Sequence, residues 1–225
     1  MTAFVVASLC AREVSRRWAA LVLVVALPLW FYLVRRDLAG QSTRMLALGI
    51  GWSVSTLTLF VVNASRSVDP RLRLTGASTA SIIGGRLAAM SGVGLAVALG
   101  YWLLVGVDQD LRHWWVAGLM MAVTALAAAP LGSLIGALLP RELEGALALL
   151  SVCAVQMLAD PAGSVAKLMP FWSTREIGTY AVDGGGFDMV WRGLGHAALV
   201  WLICTGGTLA IFRWRLRVAN YPEPT

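Results

Sequence analysis

The chain has 225 residues, of which 58% are hydrophobic and only 13% are charged. A soluble globular domain carries about a quarter charged residues, so this composition excludes a soluble enzyme or binding domain and is typical of a membrane protein. The net charge of +6 comes almost entirely from arginines that flank apolar runs, which indicates membrane topology and no nucleic-acid partner.

The apolar runs predict six transmembrane helices. A helix crosses about 30 Å of hydrocarbon with roughly 20 residues. Five runs come close to that length, and a sixth, 145–159, reaches it if the helix starts at Pro140, because proline suits a first turn and Glu142 and Glu144 favour its positive end. The six predicted spans are 18–34, 45–65, 87–107, 114–139, 140–159 and 193–212.

The two ends of the chain lie outside the predicted membrane domain 18–217. Residues 1–17 carry apolar Phe4, Val5 and Leu9 and end in arginines, which predicts a helix lying in the membrane interface, with a disordered tail as the alternative. Six spans place both termini on one side of the membrane, where the loops are richer in Lys and Arg. Both termini, including the tail 218–225, are therefore predicted to be cytoplasmic.

The predicted cytoplasmic connection 66–86 is longer than helix packing requires. Pro70 and Gly76 punctuate it, and Ser78 is placed to cap a short helix that runs through Ile83. A segment of this kind is a candidate surface for docking a partner.

The predicted outer connection 160–192 is rich in aromatic residues. A capping box from Ser173 to Glu176 predicts the start of a helix that ends before Gly184. Since aromatic side chains favour the membrane interface, we expect this segment to dip into the outer leaflet.

The sequence offers no convincing catalytic or metal site. Gly132-Ser133 and His196 are the nearest match to an intramembrane serine protease, but no oxyanion-hole donors are identifiable beside Ser133. His113 and His196 are too few for a closed metal site. The three cysteines, Cys10, Cys153 and Cys204, are too far apart for a metal motif and are interpreted as buried thiols.

The chain also lacks an energy source of its own. Its single lysine, Lys167, does not belong to a Gly-x-x-x-x-Gly-Lys-Ser/Thr phosphate-binding loop. Within the six runs His196 is the only ionisable residue, which disfavours coupling to protons or sodium. We expect no catalytic residue, cofactor or metal in this chain.

A translocation path would be lined by uncharged polar or aromatic residues of the first, second and fifth predicted spans. Such a lining suits an amphipathic or hydrophobic molecule, whereas an ion requires charges or organised carbonyls. Bonding between helices is the alternative role for each residue. The candidates are Trp52, Ser53, Thr56, Asn63, Ser151 and Gln156.

The layout resembles the permease subunits of ABC-2 type exporters over nearly the whole chain. Local matches are Arg71-Leu-Arg-Leu-Thr-Gly-Ala-Ser, Gly84-Gly-Arg86, Leu168-Met-Pro-Phe-Trp and Thr179-Tyr-Ala-Val. The resemblance implies an all-α membrane fold with six transmembrane helices, an N-terminal elbow helix at 1–17, a coupling helix within 66–86, and a re-entrant helical segment within 160–192.

The resemblance also implies a function. Two such subunits, identical or similar, would sit in the plasma membrane on two ABC ATPase subunits that bind ATP and Mg, and would export a natural product, drug or lipid. Arg71 and Arg73 would supply charge to the ATPase contact, with anchoring to lipid headgroups as their alternative role. The coupling contact as a whole would involve Arg71, Arg73, Thr75, Gly76, Ser78, Thr79, Ile82 and Ile83. A non-transporting assembly or anchor protein, and a permease of the haem-exporter type, are the competing interpretations.

Overall fold

The computed structural model describes residues 3–16, 18–160 and 163–216, so the predicted tail 218–225 and residues 1, 2 and 17 of the predicted elbow segment lie outside the described residues. The described part is helical and contains no β-strand, which confirms the all-α prediction. Its helices are α1 (Ala3–Arg16), α2 (Trp18–Val34), α3 (Ala39–Ala64), α4 (Asp69–Leu74), α5 (Thr79–Asp108), α6 (Trp114–Leu138), α7 (Glu142–Leu158), α8 (Ser164–Leu168), α9 (Trp172–Asp183) and α10 (Asp188–Arg215), with a 3-10 turn at Ser65–Ser67.

Four helical segments of the described chain are long and apolar enough to cross a membrane. They are Gly40–Ser67, Thr79–Asp108, Trp114–Leu138 and Asp188–Arg215. Helices α2 and α7 have 17 residues each, which is somewhat short of the roughly 20 that a perpendicular span needs. The chain therefore has the helices of a membrane protein, and the count of six spans stays a prediction.

Three long helices extend past the charge-free runs that predicted them. Helix α3 begins at Ala39, whereas the run that predicted it begins at residue 45. Helix α5 begins at Thr79 instead of residue 87, and α10 begins at Asp188 instead of residue 193. The helices are longer than the charge-free runs because ionisable residues at their ends are also helical. Arg44, for example, lies inside α3, where its guanidinium pairs with Asp183 at 2.6 Å.

The helices of the described chain run up and down between two ends. We call the end that holds α1, α4 and the start of α5 the elbow end, and the end that holds 35–38, 109–113, 159–160 and 163–187 the loop end. Helix α3 lies at the centre, in contact with α2, α5, α6, α7 and α9. Helix α1 diverges from α2 by 82° and packs instead against the start of α5.

The closest helix crossing joins α3 to α6 through two glycines. A Cβ on Gly132 would lie 2.8 Å from Cα of Ser55, and one on Gly136 would lie 3.1 Å from Cβ of Val62. The Ser55 hydroxyl donates a hydrogen bond to the carbonyl of Ala128 at 3.0 Å across the same crossing. The Gly-x-x-x-Gly pair thus acts within the chain, by letting two backbones approach.

Helices α8 and α9 lie at the loop end and reach down into the bundle. The buried Phe171 ring packs directly against Gly51 of α3, and a Cβ on that glycine would lie 2.9 Å from the ring. The hydroxyls of Thr174 in α9 and Thr124 in α6 share a 2.7 Å hydrogen bond. The predicted capping box is wrong, because α9 begins at Trp172 and Ser173 is already within its first turn. The predicted stop is confirmed by the left-handed Gly184 that ends α9.

The α3–α6 crossing predicts a sharp penalty for one added methyl group. Gly132→Ala should destabilise the chain by about 1–3 kcal/mol, since the Cβ meets backbone that cannot move aside. Thermal unfolding in detergent, followed by tryptophan fluorescence, measures the loss. Gly206→Ala is the matched control, because a Cβ there meets no atom within 4 Å. Equal melting temperatures for both variants would contradict the packing described here.

Candidate functional site

The connection 66–86 is folded, and α4, the helix in its first part, is terminated by a glycine. Helix α4 ends in a turn in which the N–H of Gly76 donates to the carbonyl of Arg73 and the N–H of Ala77 to that of Leu72. This is the Schellman pattern, which needs a left-handed residue, and Gly76 supplies it with φ of 85°. The chain is thereby turned back so that Ala77 is buried and α5 can begin.

The predicted cap at Ser78 is present, but the helix that it starts is long. The Ser78 hydroxyl accepts a 3.0 Å hydrogen bond from the N–H of Ser81, and the helix then continues to Asp108. The predicted short helix from Ser78 through Ile83 is therefore the beginning of α5 and not a separate element. The sequence does indicate that the helix continues, because its apolar residues keep helical spacing through Ile82, Ile83 and Leu87. The charge on Arg86, which lies among them, obscured that pattern.

A buried ion pair joins α4 to α5. Nη2 of Arg86 lies 2.7 Å from Oδ1 of Asp69, and both side chains are only 3% exposed. Asp69 is in the first turn of α4, where the helix dipole also favours a carboxylate. Removing either charge would leave the other buried without a partner, which is strongly unfavourable.

Helix α1 covers this ion pair. Its buried residues Val6, Cys10 and Val14 follow one helical stripe, and a Cβ on Gly85 would lie 2.8 Å from Cβ of Val6. Burial raises the pKa of the Cys10 thiol, although the adjacent Arg86 acts in the opposite direction. Cys10 is thus a buried thiol beside the pair. We call α1, α4, the turn 75–78 and the part of α5 from 79 to 86 the elbow block.

The structure divides the eight predicted coupling residues into two groups. Arg71, Thr75, Gly76 and Ser78 are exposed on the elbow block, and Arg73 is half-buried with a hydrogen bond to the carbonyl of Ala77. The buried members cannot form a docking surface in this conformation, because they hold α5 in the bundle; they are Thr79, Ile82 and Ile83.

Three of the six predicted path residues lie together in a groove between α2 and α3. Trp52, Ser53 and Thr56 come from α3, and the groove has a volume of about 180 Å³. We call it the α2–α3 groove. Its other lining residues are apolar, namely Ala20, Leu23, Val24, Leu27, Leu57 and Phe60.

Polar atoms of these residues lack hydrogen-bond partners among the described residues. They are Nε1 of Trp52, Oγ of Ser53 and Oγ1 of Thr56. Asn63 lies farther along α3, toward the elbow end; its Oδ1 accepts a 2.9 Å bond from Arg66 and its Nδ2 is unpartnered. Buried polar atoms without partners are uncommon, so this row marks α3 beside α2 as a candidate site.

The other two predicted path residues lie elsewhere. The Ser151 hydroxyl donates to the carbonyl of Leu147 within α7, and the side chain faces outward. Oε1 of Gln156 accepts a 3.2 Å hydrogen bond from the N–H of Phe171, so it ties α7 to the start of α9. Neither residue lines the α2–α3 groove.

The residues weighed for catalysis and metal binding are held by other contacts. Ser133 lies in the elbow-end part of α6, whereas His196 lies in the loop-end half of α10 and donates from Nε2 to the carbonyl of Lys167 at 3.1 Å. The His113 ring stacks on Tyr180 with centroids 4.6 Å apart. In the described ranges no three His, Cys, Asp or Glu residues are grouped as metal ligands.

Sequence reasoning missed Arg66 as a structural residue. Its guanidinium donates to the carbonyls of Gly136 and Leu139, where α6 ends and backbone acceptors are left over. Its position directly after an apolar run was interpreted only as a topological charge. The side chain therefore binds the elbow end of α6 to the end of α3.

The buried ion pair yields a prediction with an internal control. Arg86→Met should cost about 3–5 kcal/mol of unfolding free energy, because Asp69 stays buried and unpaired. The double variant Asp69→Leu/Arg86→Met should recover most of that loss. Thermal unfolding in detergent measures both.

The exposed pair Arg141–Glu144 is the control. Since exposed pairs contribute little, Arg141→Met should leave the melting temperature nearly unchanged. A loss in Arg141→Met as large as in Arg86→Met would contradict a special role for burial, and so would a double variant no better than the single one.

No model of a known protein family matches this chain, and no curated protein sequence matches it either. The resemblance to ABC-2 permeases therefore stays a prediction from the sequence.

Proposed function

We propose that this chain is the membrane permease subunit of an ATP-driven ABC exporter, and that the elbow block is where its ATPase binds. The observation that carries the proposal is the construction of that block. Helix α4, which leads into the exposed turn, is joined by a buried ion pair to the start of α5, one of the longest apolar helices of the described chain.

This construction suits the transmission of a push. The buried pair resists separation of α4 from α5, because separating the charges would leave both unpaired. Contact between α1 and Gly85 adds a second helix that packs against the start of α5. A displacement applied to the exposed Arg71, Thr75 and Ser78 is therefore passed to α5 as a whole.

The energy for transport would come from the partner. Two ATPase subunits would bind ATP and Mg, and their closure would favour one of two permease conformations, since a ligand shifts an equilibrium only through its different affinity for the two states. A second permease subunit, identical or similar, would complete the assembly in the lipid bilayer. The chain itself would perform no chemistry.

The same proposal sets the membrane topology. Helices α2 and α7 would be the first and fifth of six spans, slightly short ones whose flanking residues adjust to the bilayer. Helix α1 would lie in the cytoplasmic interface, and α8–α9 would dip from the outer face toward Thr124. The elbow end would be cytoplasmic in the plasma membrane.

Photo-crosslinking tests the proposed partner. Leu74 is 82% exposed at the end of α4, so p-benzoylphenylalanine at that position should capture a neighbouring protein in membranes of cells that make the chain. The adduct should incorporate 8-azido-ATP, and mass spectrometry should find a phosphate-binding loop in the captured protein. The same label at Leu168, an equally exposed leucine at the loop end, should not capture it.

An adduct at Leu74 whose partner binds no nucleotide would contradict the proposal and favour an assembly or anchor protein. The absence of any adduct specific to Leu74 would also contradict it.

Cysteine labelling tests the orientation. Asp110→Cys, at the exposed loop end, should react with a membrane-impermeant maleimide in intact cells, whereas Leu74→Cys should react only after permeabilisation. The native cysteines are replaced by alanine in both variants. Reaction of Leu74→Cys in intact cells would reverse the orientation and remove the elbow block from the cytoplasm.

A further inference from the structure

The α2–α3 groove has apolar walls, and several polar atoms of its lining residues have no hydrogen-bond partner among the described residues. Ser53 is 6% exposed, lines the groove and has no hydrogen-bond partner for its hydroxyl in the described chain. Beside it, Nε1 of Trp52 and Oγ1 of Thr56 are likewise unpartnered. A buried polar group left without a partner costs about 1–3 kcal/mol.

Other hydroxyl groups of α3 do have hydrogen-bond partners, so the lack of partners is confined to the residues beside the groove. The Thr58 hydroxyl donates to the carbonyl of Val54 at 2.8 Å, and the Ser55 hydroxyl donates to that of Ala128. Both face the crowded interior of the bundle. Ser53 and Thr56 border the groove, but their oxygens are buried just behind its apolar wall, so a molecule reaches them only when the neighbouring part of α2 moves aside.

The groove also lies beside the more weakly held half of α2. Toward the loop end, α2 is tied to α5 by the Tyr101 hydroxyl, which donates to the carbonyl of Val25, and by Tyr32 and Arg36, which both bind Asp108. The hydrogen bonds described for α2 with other helices reach no further toward the elbow end than Val25. Val25 lies on the groove side of Pro28, so one hydrogen bond to α5 also holds this half, near its middle. Pro28 interrupts the helical hydrogen bonds, so the part of α2 between Trp18 and Val24 can bend away from α3.

We infer that the α2–α3 groove binds a neutral, lipid-like molecule through an oxygen that accepts hydrogen bonds, such as an ester carbonyl. The Trp52 indole can only donate, and Ser53 and Thr56 can both donate. The groove lining contains no charged residue, and a charged group buried there would lack a counter-charge.

The dimensions limit how the ligand sits. A volume of about 180 Å³ is smaller than the roughly 300–1,000 Å³ of a pocket that encloses a drug-sized molecule. The acceptor group and a short stretch of chain therefore occupy the groove, while the rest of the molecule stays in lipid between α2 and α3. A diacylglycerol has this chemistry: paired ester carbonyls, long apolar chains and no charge.

Transport of such a molecule rests on the proposed function, whereas its binding does not. The test is therefore made on the purified full chain in dodecyl maltoside, with no ATPase present. The probe is a diacylglycerol with a photoreactive diazirine in one acyl chain. A diazirine-bearing hydrocarbon of equal length, which has no acceptor oxygen, is the comparison probe.

The diacylglycerol probe should label peptides of α2 and α3, and excess unlabelled diacylglycerol should compete, whereas the hydrocarbon probe should label this site weakly. Removing two donors with Ser53→Ala/Thr56→Val should reduce labelling at least about fivefold, since one hydrogen bond of about 1 kcal/mol corresponds to that factor. Thr58→Val is the matched control, because that hydroxyl is already bonded within α3.

The same double variant has a second readout. Without the probe it should melt at the same temperature as the wild type or higher, because it removes unpartnered polar groups. Equal labelling by both probes, unchanged labelling in the double variant, or a double variant that fails to fold would overturn the inference. If binding occurs as described but Leu74 captures no ATPase, the site stands and the permease function fails.

Discussion

The structure depends on the contact between Gly132 of α6 and the backbone of Ser55 in α3. Helices in lipid gain little from the hydrophobic effect, so they associate where backbones can approach and pack closely. This crossing brings α3 into the centre of the bundle, and α2, α5, α7 and α9 all pack around it. The least buried face of α3 is the one beside α2, which is why a groove can form there and nowhere along the α3–α6 contact.

The elements themselves were largely predictable from the sequence, and their ends were not. Apolar runs of helical length predicted each long helix, because no other local structure satisfies its own backbone in lipid. Arg44, Arg66 and Arg86 were interpreted as loop residues, yet each is held by a specific partner inside or at the end of a helix. The partners are distant in sequence, so pairing of charges could not be foreseen from local pattern.

The candidate site was predicted in part for a similar reason. Trp52, Ser53 and Thr56 stood out as polar or aromatic residues in an apolar run, and they do share the groove. Ser151 and Gln156 had the same character but are occupied by Leu147 and Phe171, contacts that depend on how α7 meets its neighbours. Polarity within a span shows that a residue is unusual, and only the packed structure shows whether its hydrogen bonds are already satisfied.

The account as a whole requires that α5 moves when the ATPase binds nucleotide and that α2, which is bonded to α5 through Tyr101 and Asp108, moves with it while the α3–α6 core does not. Spin labels at Leu23→Cys on α2 and Leu126→Cys on α6, with Cys10, Cys153 and Cys204 replaced by alanine, measure that distance in lipid nanodiscs with the captured ATPase. A population with a longer α2–α6 distance should appear or disappear on adding nucleotide. The distance between labels at Leu126→Cys and Leu202→Cys, which face one groove between α6 and α10, should stay constant. A single unchanged α2–α6 distance in every nucleotide state would contradict the account.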